Sequence, residues 1–136
     1  MHFENMNTMS RATEAESLTI LCIDDHVNDL EFARCYLEES GYNVLTATSG
    51  EQAIEIARRN SIAGVLLDYR MPGKDGEHVA LDIWRAHPEV PIILLSAFTE
   101  YIPQRLLAAV DACIDKRVAP EKWVSEVQRI CGRTAN

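Results

Sequence analysis

Five side chains with acidic, basic or hydroxyl groups stand at the ends of short apolar runs. The runs are "LTILCI", "AGVLLD", "PIILLS" and "DACID". The side chains that end or follow them are those of Asp24, Asp25, Asp68, Ser96 and Lys116. Three carboxylates held about 4 to 5 Å apart would repel by roughly 3 to 4 kcal/mol per pair at an effective dielectric constant of 20. If the fold brings them together, a bound cation is needed to offset that repulsion.

These residue types favour phosphoryl transfer assisted by a divalent cation. Mg²⁺ takes oxygen ligands and keeps several waters, so carboxylates, a backbone carbonyl and a phosphate oxygen suit it. Asp68 is the natural nucleophile, because a carboxylate can accept a phosphoryl group as an acyl phosphate. Lys116 would place a positive charge on the transferred oxygens, and Ser96 would donate a hydrogen bond to the same group.

The apolar runs alternate with helical patterns, and this alternation decides where the five side chains lie. These runs are short and mostly apolar, as in strands covered on both faces, and "YNVLTAT" reads as a further strand, the second along the chain. Five strands alternating with five helices predict right-handed crossovers and a doubly wound parallel sheet. Ligands of such sheets bind beyond the carboxyl ends of the strands, where the strand order reverses. We therefore expect the five side chains to meet at one edge.

Local signals predict where several helices begin and end. Gly41 is a good helix stop, Ser49 with Gln52 forms a capping box, and Pro120 opens the last helix. A helix is expected around 101–109, with Pro103 in its first turn. Apolar residues at broadly helical spacing mark the first helix: Val27, Leu30, Phe32, Ala33, Tyr36 and Leu37.

Length and charge limit the class of protein. The chain has 136 residues and a net charge of −8, which fits one domain and argues against nucleic-acid binding, because phosphate contacts need Lys and Arg. The apolar runs are too short to span a membrane. The four cysteines form no C-x-x-C pair, so we expect reduced thiols that fill the core of a cytoplasmic protein. Residues 1–17 are expected to be a flexible arm and 132–136 a tail.

Four short blocks of the sequence resemble the response-regulator receiver domain of two-component signalling. They are "IDDH", "LLDYRMPGKDG", "LLSA" and "IDK", and they occur in the family's order. The resemblance covers about residues 18–131. It implies a flavodoxin-like α/β fold with a five-stranded parallel sheet of order 2-1-3-4-5 flanked by five helices. It also implies a phosphoryl group received from a sensor histidine kinase or a histidine phosphotransfer protein.

The resemblance assigns a role to each matching position. Asp68 would be the phosphoacceptor, and Asp25 a direct ligand of Mg²⁺ or Mn²⁺, with Asp24 acting largely through metal-bound water. The backbone carbonyl of Arg70 would be a further ligand. Ser96 would be the switch hydroxyl, and Lys116 the ion-pair partner of the phosphoryl group.

The chain departs from the family pattern at two positions near Lys116. The family usually has a cis proline after the lysine, where this chain has Arg117, so the bond here is either trans or strained. It usually has Tyr or Phe three residues before the lysine, where this chain has Cys113. A thiol is too small to replace the ring, so we expect switching to use the loop after Ser96, with Tyr101 as a substitute aromatic.

Two more expectations concern the lifetime of the phosphoryl group and the partners. Arg70 and Phe98 would flank the path of the attacking water, and a bulky pair there would slow self-dephosphorylation. No residue follows Asn136 to form an output domain, so output is expected in trans. The resemblance allows a homodimer through the last two helices and strand five.

Three other functions stay open. A pseudo-receiver would fold in the same way and act as an interaction module without phosphorylation, as Arg117 and Cys113 allow. A phosphohydrolase of the haloacid dehalogenase type also uses an Asp nucleophile, but "DDHVN" lacks the second Asp of its D-x-D motif. A flavin or nucleotide binder would need a Gly-rich phosphate loop, and none follows the first strand.

Overall fold

A computed structural model describes residues 17–69, 76–97 and 102–133 of the chain. Five parallel strands form one sheet in the order β2-β1-β3-β4-β5, as expected from the alternation and the resemblance. The expected arm and tail fall largely outside the described residues and stay predictions. The elements are β1 Thr19–Ile23, α1 Val27–Glu39, β2 Asn43–Ala47, α2 Gly50–Arg59, β3 Gly64–Asp68, α3 Gly76–Ala86, β4 Ile92–Ser96, α4 Gln104–Ala109, β5 Ala112–Asp115 and α5 Pro120–Cys131.

Strands β1, β3 and β4 are largely apolar because both faces of the sheet are covered there, whereas the outer strands β2 and β5 are only partly buried. Successive side chains of a strand point to opposite faces, so each strand contributes to two cores. In β1, Leu21 and Ile23 join the core under α2, α3 and α4, whereas Ile20 and Cys22 join the core under α1 and α5. The central strand β3 is buried along its whole length. The sheet is therefore a rigid support for side chains at its edge.

The helix boundaries follow the local signals in the sequence. Helix α1 ends in a Schellman motif, in which the N–H groups of Gly41 and Tyr42 donate to the carbonyls of Glu38 and Leu37. Gly41 has a φ of 98°, which an L side chain would strain, so glycine suits this position. Ser49 caps α2 by accepting from the N–H of Gln52. The side chain of Gln52 accepts a hydrogen bond from the N–H of Thr48, one residue before the N-cap. The capping box is therefore completed by Thr48 and not by the N–H of Ser49.

One expectation about the helices was wrong, and the buried stripe of α1 is narrower than its apolar residues. Helix α4 is shorter than expected, and Pro103 is its N-cap, because its ψ of 139° is extended and its carbonyl accepts from the N–H groups of Leu106 and Leu107. Val27 and Phe32 of α1 are 61% and 52% exposed, since the stripe that faces the sheet consists of Leu30, Ala33 and Leu37.

The cysteines match the expected core role only in part. Cys22 is buried, Cys113 and Cys131 are half-buried, and all four thiols are free. Cys35 is exposed on α1, so it does not fill the core as expected. Burial, helped by the nearby carboxylates of Asp24 and Asp111, raises the pKa of Cys22 to about 12 and that of Cys131 to about 11. These two thiols are therefore protonated at neutral pH.

No helix within the described ranges is both long and apolar enough to cross a membrane.

Gly64 is required by a close contact between β3 and α5. A Cβ at this position would lie 2.2 Å from Sγ of Cys131. Gly64→Ala should therefore cost about 1 to 3 kcal/mol of unfolding free energy, measured in urea, because the packed core must shift. Cys131→Ala in the same chain should recover part of that cost. If the double variant lost as much unfolding free energy as Gly64→Ala alone, a clash with the thiol would be contradicted.

Candidate functional site

Three polar side chains are buried among the described residues, and all belong to the predicted set. Asp24 is 5% exposed, Asp68 4% and Ser96 3%. They lie at the carboxyl ends of β1, β3 and β4. The strand order reverses between β1 and β3, which is the position where doubly wound sheets bind ligands. Burying carboxylates costs free energy unless they are paired, so their partners matter.

The turn after β1 brings Asp24 and Asp25 to the same site. The N–H of Asp24 donates to the carbonyl of Ala47, which continues the ladder one residue beyond the strand. The N–H of His26 then donates to Oδ1 of Asp24 at 3.0 Å. The chain bends into α1 at this point, with His26 as its N-cap. Two consecutive carboxylates can therefore lie on one side, as an extended strand would not allow.

Lys116 neutralises part of the acidic cluster. Its Nζ lies 3.2 Å from Oδ2 of Asp24 and 3.3 Å from Oδ1 of Asp68. Its backbone N–H donates to the carbonyl of Ser96, which fixes the end of β5 beside β4. Burial by itself would lower the pKa of Lys116, but Asp68 and Asp24 more than offset this, and the net pKa is raised. The ammonium is therefore charged at any pH below its ordinary value.

Sequence reasoning missed one neighbour of this ammonium group. Oδ2 of Asp29, in the first turn of α1, lies 3.6 Å from Nζ of Lys116. Helical spacing from Asp25 does not indicate this contact, because Asp25 precedes His26, the N-cap of α1, and lies outside the helix.

The acidic cluster has the donor set of a divalent-cation site. Ligand atoms of Asp24, Asp25, His26 and Asp68 lie within 4.8 Å of one another. Both oxygens of Asp24 have partners, in the backbone of His26 and the ammonium of Lys116. Oδ1 of Asp25 is buried and accepts no hydrogen bond from the described residues. A buried carboxylate oxygen without a donor is a suitable ligand for Mg²⁺, so the residues fit the cation that the resemblance implies.

The loop that presents Lys116 is held without a cis peptide bond. The described residues contain none, so the bond from Lys116 to Arg117 is trans. Asp115 accepts three hydrogen bonds from Arg117, from its backbone N–H at 2.8 Å, its Nε at 2.9 Å and its Nη2 at 2.6 Å. These hydrogen bonds lower the pKa of Asp115 to about 2. A local ion pair therefore closes the loop where the family usually has proline.

This ion pair predicts a measurable pKa change. Arg117→Ala should return the pKa of the Asp115 carboxyl from about 2 part of the way towards its ordinary 3.8, because the two side-chain hydrogen bonds are lost while the one from the backbone N–H of residue 117 remains. A carboxyl whose pKa is lowered in the folded state stabilises the fold at pH values above its ordinary pKa. This stabilisation is lost as the pH falls towards 2. Carbon-detected NMR titration measures it. An unchanged pKa in the variant would show that Arg117 does not hold the carboxylate.

Cys113 lies in β5 at the position where the family usually has Tyr or Phe. It is half-buried against the core formed by β4 and α4. Burial raises the pKa of its thiol, and the nearby Asp115 raises it further. The site therefore contains a small protonated thiol at this position and no ring that could turn.

Three predicted residues lie outside the described residues: Arg70, Phe98 and Tyr101. The carbonyl ligand, the lifetime pair and the substitute aromatic therefore stay predictions. The predicted residues that the structure does describe come together as expected at one edge of the sheet: Asp24, Asp25, Asp68, Ser96 and Lys116.

A cavity of about 350 Å³ adjoins this edge between α1 and α5. Leu30, Phe32 and Trp123 give it an apolar lining, and Asp24 and Lys116 also contribute to its wall. The exposed ring of Phe32 stacks edge-on against Tyr36 at a centroid distance of 4.9 Å. The charged site therefore continues into an apolar surface on α1.

Comparison with known proteins gives the same result at the level of sequence and of fold. The curated relatives include the transcriptional regulatory protein SrrA of Staphylococcus aureus, which is 32% identical over 117 residues. Those residues are 85% of this chain and 48% of SrrA, so the chain spans about half the length of that relative.

Two solved structures illustrate the likeness in fold. The response regulator TrrA of Thermotoga maritima, solved in complex with Mg²⁺ and beryllofluoride, has a TM-score of 0.77 and 31% identity over 83% of this chain and 98% of that one. The second is the receiver domain of a sensor histidine kinase from Pseudomonas aeruginosa, solved with a magnesium ion in its active-site cleft. It has a TM-score of 0.77 and 25% identity, and the match covers 85% of this chain and 98% of that one.

The response regulator receiver domain model matches residues 20–128. That range includes the buried residues of both cores, the five strands except for Thr19 at the start of β1, and every residue of the acidic site. The chain therefore belongs to the response regulator receiver domain family.

Proposed function

We propose that this receiver domain is a phosphorylation switch in which Asp68 accepts a phosphoryl group from a phospho-histidine donor. The observation that carries the proposal is the pairing of Oδ1 of Asp68 with Nζ of Lys116 at 3.3 Å. A buried carboxylate at a sheet edge is poised as a nucleophile, and the ammonium beside it can follow the charge onto a phosphoryl group.

The proposed reaction exchanges one bond to phosphorus for another. A carboxylate oxygen of Asp68 attacks phosphorus, the P–N bond to the donor imidazole breaks, and its electron pair returns to the ring. Lys116 then pairs with the transferred oxygens, and the hydroxyl of Ser96 donates a hydrogen bond to one of them. A bound Mg²⁺ or Mn²⁺ would neutralise phosphoryl oxygens and the carboxylates around them.

The two aspartates after β1 differ in their freedom to bind that cation. Asp25 has a buried oxygen without a hydrogen-bond donor in the described residues, which supports a direct contact with the metal. Both oxygens of Asp24 are engaged, which supports an outer position reached through metal-bound water. The carbonyl of Arg70 is proposed as a further ligand on the resemblance alone.

The proposed donor is a sensor histidine kinase or a histidine phosphotransfer protein. Val27 and Phe32 expose apolar surface on α1 next to the site, which supports docking of a partner there. Phosphorylation would change a second partner-binding surface through the loop after Ser96, with Tyr101 in place of the usual aromatic. Pairing of two copies through α4, β5 and α5 is proposed on the resemblance alone.

Incubation with acetyl phosphate and Mg²⁺, followed by intact-mass measurement, tests the proposal. We expect a gain of one phosphoryl group that is abolished by Asp68→Asn and by EDTA. Asp29→Asn is the matched control, since this carboxylate lies at the same edge but is exposed. Steady release of phosphate would favour a hydrolase. A chain that gains no phosphoryl group from either acetyl phosphate or a phospho-histidine donor would be a pseudo-receiver.

A further inference from the structure

We propose that His26 binds the divalent cation through Nδ1, which gives the site a mixed nitrogen and oxygen ligand set. The inference rests on the proposed function, since it concerns the same cation site. Its consequence is selectivity. Relative to an all-oxygen site, this one favours Mn²⁺, and more strongly Co²⁺, over Mg²⁺.

The position of the imidazole fits a ligand in the acidic cluster. Nδ1 of His26 lies 3.3 Å from Oδ1 of Asp25 and 3.4 Å from Oδ1 of Asp24. Neighbouring ligands of an octahedral cation at 2.0 to 2.1 Å are about 3 Å apart. Nδ1 and Oδ1 of Asp25 are thus spaced as two neighbouring ligands of one cation.

The backbone of His26 holds the ring beside the cluster at little cost. Its N–H donates to Oδ1 of Asp24, so the residue is fixed at the start of α1. The side chain is 67% exposed, so a hydrated cation can reach Nδ1 without any rearrangement of the core. The tautomer with the proton on Nε2 leaves the lone pair of Nδ1 for the metal.

The chemistry of the donors gives the expected selectivity. Imidazole suits first-row transition metals, and affinity at such sites rises from Mn²⁺ to Co²⁺ and beyond. Carboxylate and carbonyl oxygens suit Mg²⁺ and Mn²⁺ equally well by type. Removing the imidazole should therefore weaken Co²⁺ binding much more than Mg²⁺ binding.

Pulsed electron paramagnetic resonance of the Mn²⁺-loaded protein tests the contact directly. We expect ¹⁴N modulation from a directly coordinated nitrogen in the wild type and its loss in His26→Ala. His87→Ala is the control for removal of a histidine, since His87 follows α3 at the opposite edge of the sheet. Bound Mn²⁺ without nitrogen modulation would overturn this inference and leave the proposed phosphoryl switch standing. Absence of any bound Mn²⁺ would overturn both.

Calorimetric titration with single metals gives the second readout. We expect His26→Ala to weaken Co²⁺ binding by about tenfold or more, the scale on which lost metal contacts act, with little change for Mg²⁺. Because the ring of His26 is exposed, we expect the variant to fold normally, so that unfolding does not account for weaker Co²⁺ binding. Circular dichroism checks that the variant is folded. Equal weakening of both metals would contradict coordination by the imidazole.

Discussion

Asp25→Asn should stabilise the metal-free protein and remove most of its affinity for divalent cations. In the wild type, Oδ1 of Asp25 is buried without a donor from the described residues and lies in a cluster with Asp24 and Asp68. The amide removes a like charge, and Lys116 still serves the other two carboxylates. We expect a gain of about 1 to 2 kcal/mol in EDTA, which discounts the full pairwise repulsion for partial exposure of the site. Urea unfolding measures it.

Added Mg²⁺ should reverse the order of stabilities. Wild type gains about 2.7 kcal/mol when free cation reaches 100 times its dissociation constant, whereas the variant gains little. Asp29→Asn is the control, because that carboxylate is exposed and neighbours the same ammonium. A loss of stability for Asp25→Asn in EDTA would show that the acidic cluster is not strained. An unchanged response to Mg²⁺ would show that Asp25 is not a ligand.

Lys116→Met should impair phosphorylation and stability together, while strengthening the binding of divalent cations. The ammonium pairs with both buried aspartates, Asp24 and Asp68. Losing a charged group that stabilises a transferred oxygen costs on the order of 10²- to 10³-fold in rate. Losing the partner of buried carboxylates should cost about 1 to 3 kcal/mol in EDTA, below the usual value for a fully buried pair because Lys116 is a quarter exposed.

The control for Lys116 is Lys116→Arg. It keeps the charge, so most of the stability should remain, but its planar fork cannot place a point charge in the same position, and the rate should stay low. The rate follows from intact mass against time with acetyl phosphate, and the stability from urea unfolding with EDTA. A phosphorylation rate for Lys116→Met within a factor of two of wild type would contradict the role given to this ammonium.

The architecture and the composition of the site could be predicted from the sequence because both depend on short-range patterns. Strands covered on both faces are largely apolar, and the runs of β1, β3 and β4 are recognisable for that reason. Asp24, Asp68 and Ser96 interrupt or end such runs, where a polar residue has no core role. Parallel topology then places the ends together without any knowledge of tertiary contacts.

Helix faces were harder to predict. In α1, six apolar residues occur at spacings that fit more than one stripe, and spacing alone does not decide which stripe packs on the sheet. Contact with β1 and α5 selects Leu30, Ala33 and Leu37, and leaves Val27 and Phe32 exposed. Cys35 is exposed on the same helix for the same reason.

The contacts of the loop around Lys116 depend on geometry that sequence patterns do not encode. The ion pair of Asp115 with Arg117 requires a particular turn. The replacement of proline by Arg117 therefore indicated only that the peptide bond before Arg117 is either trans or strained. Asp29 and His26 likewise reach the site through the bend after β1. Asp25 and His26 both precede Val27, the first residue of α1, so helical spacing does not place Asp29 or His26 relative to Asp25.

The most direct measurement is the position of the phosphoryl group. Borohydride reduces an aspartyl phosphate to homoserine, which tandem mass spectrometry locates in the peptide sequence. After treatment with acetyl phosphate and Mg²⁺, we expect homoserine at position 68 and none in Asp68→Asn. Homoserine at position 24 or 25, or a phosphorylated chain that gives no homoserine at all, would contradict Asp68 as the phosphoacceptor.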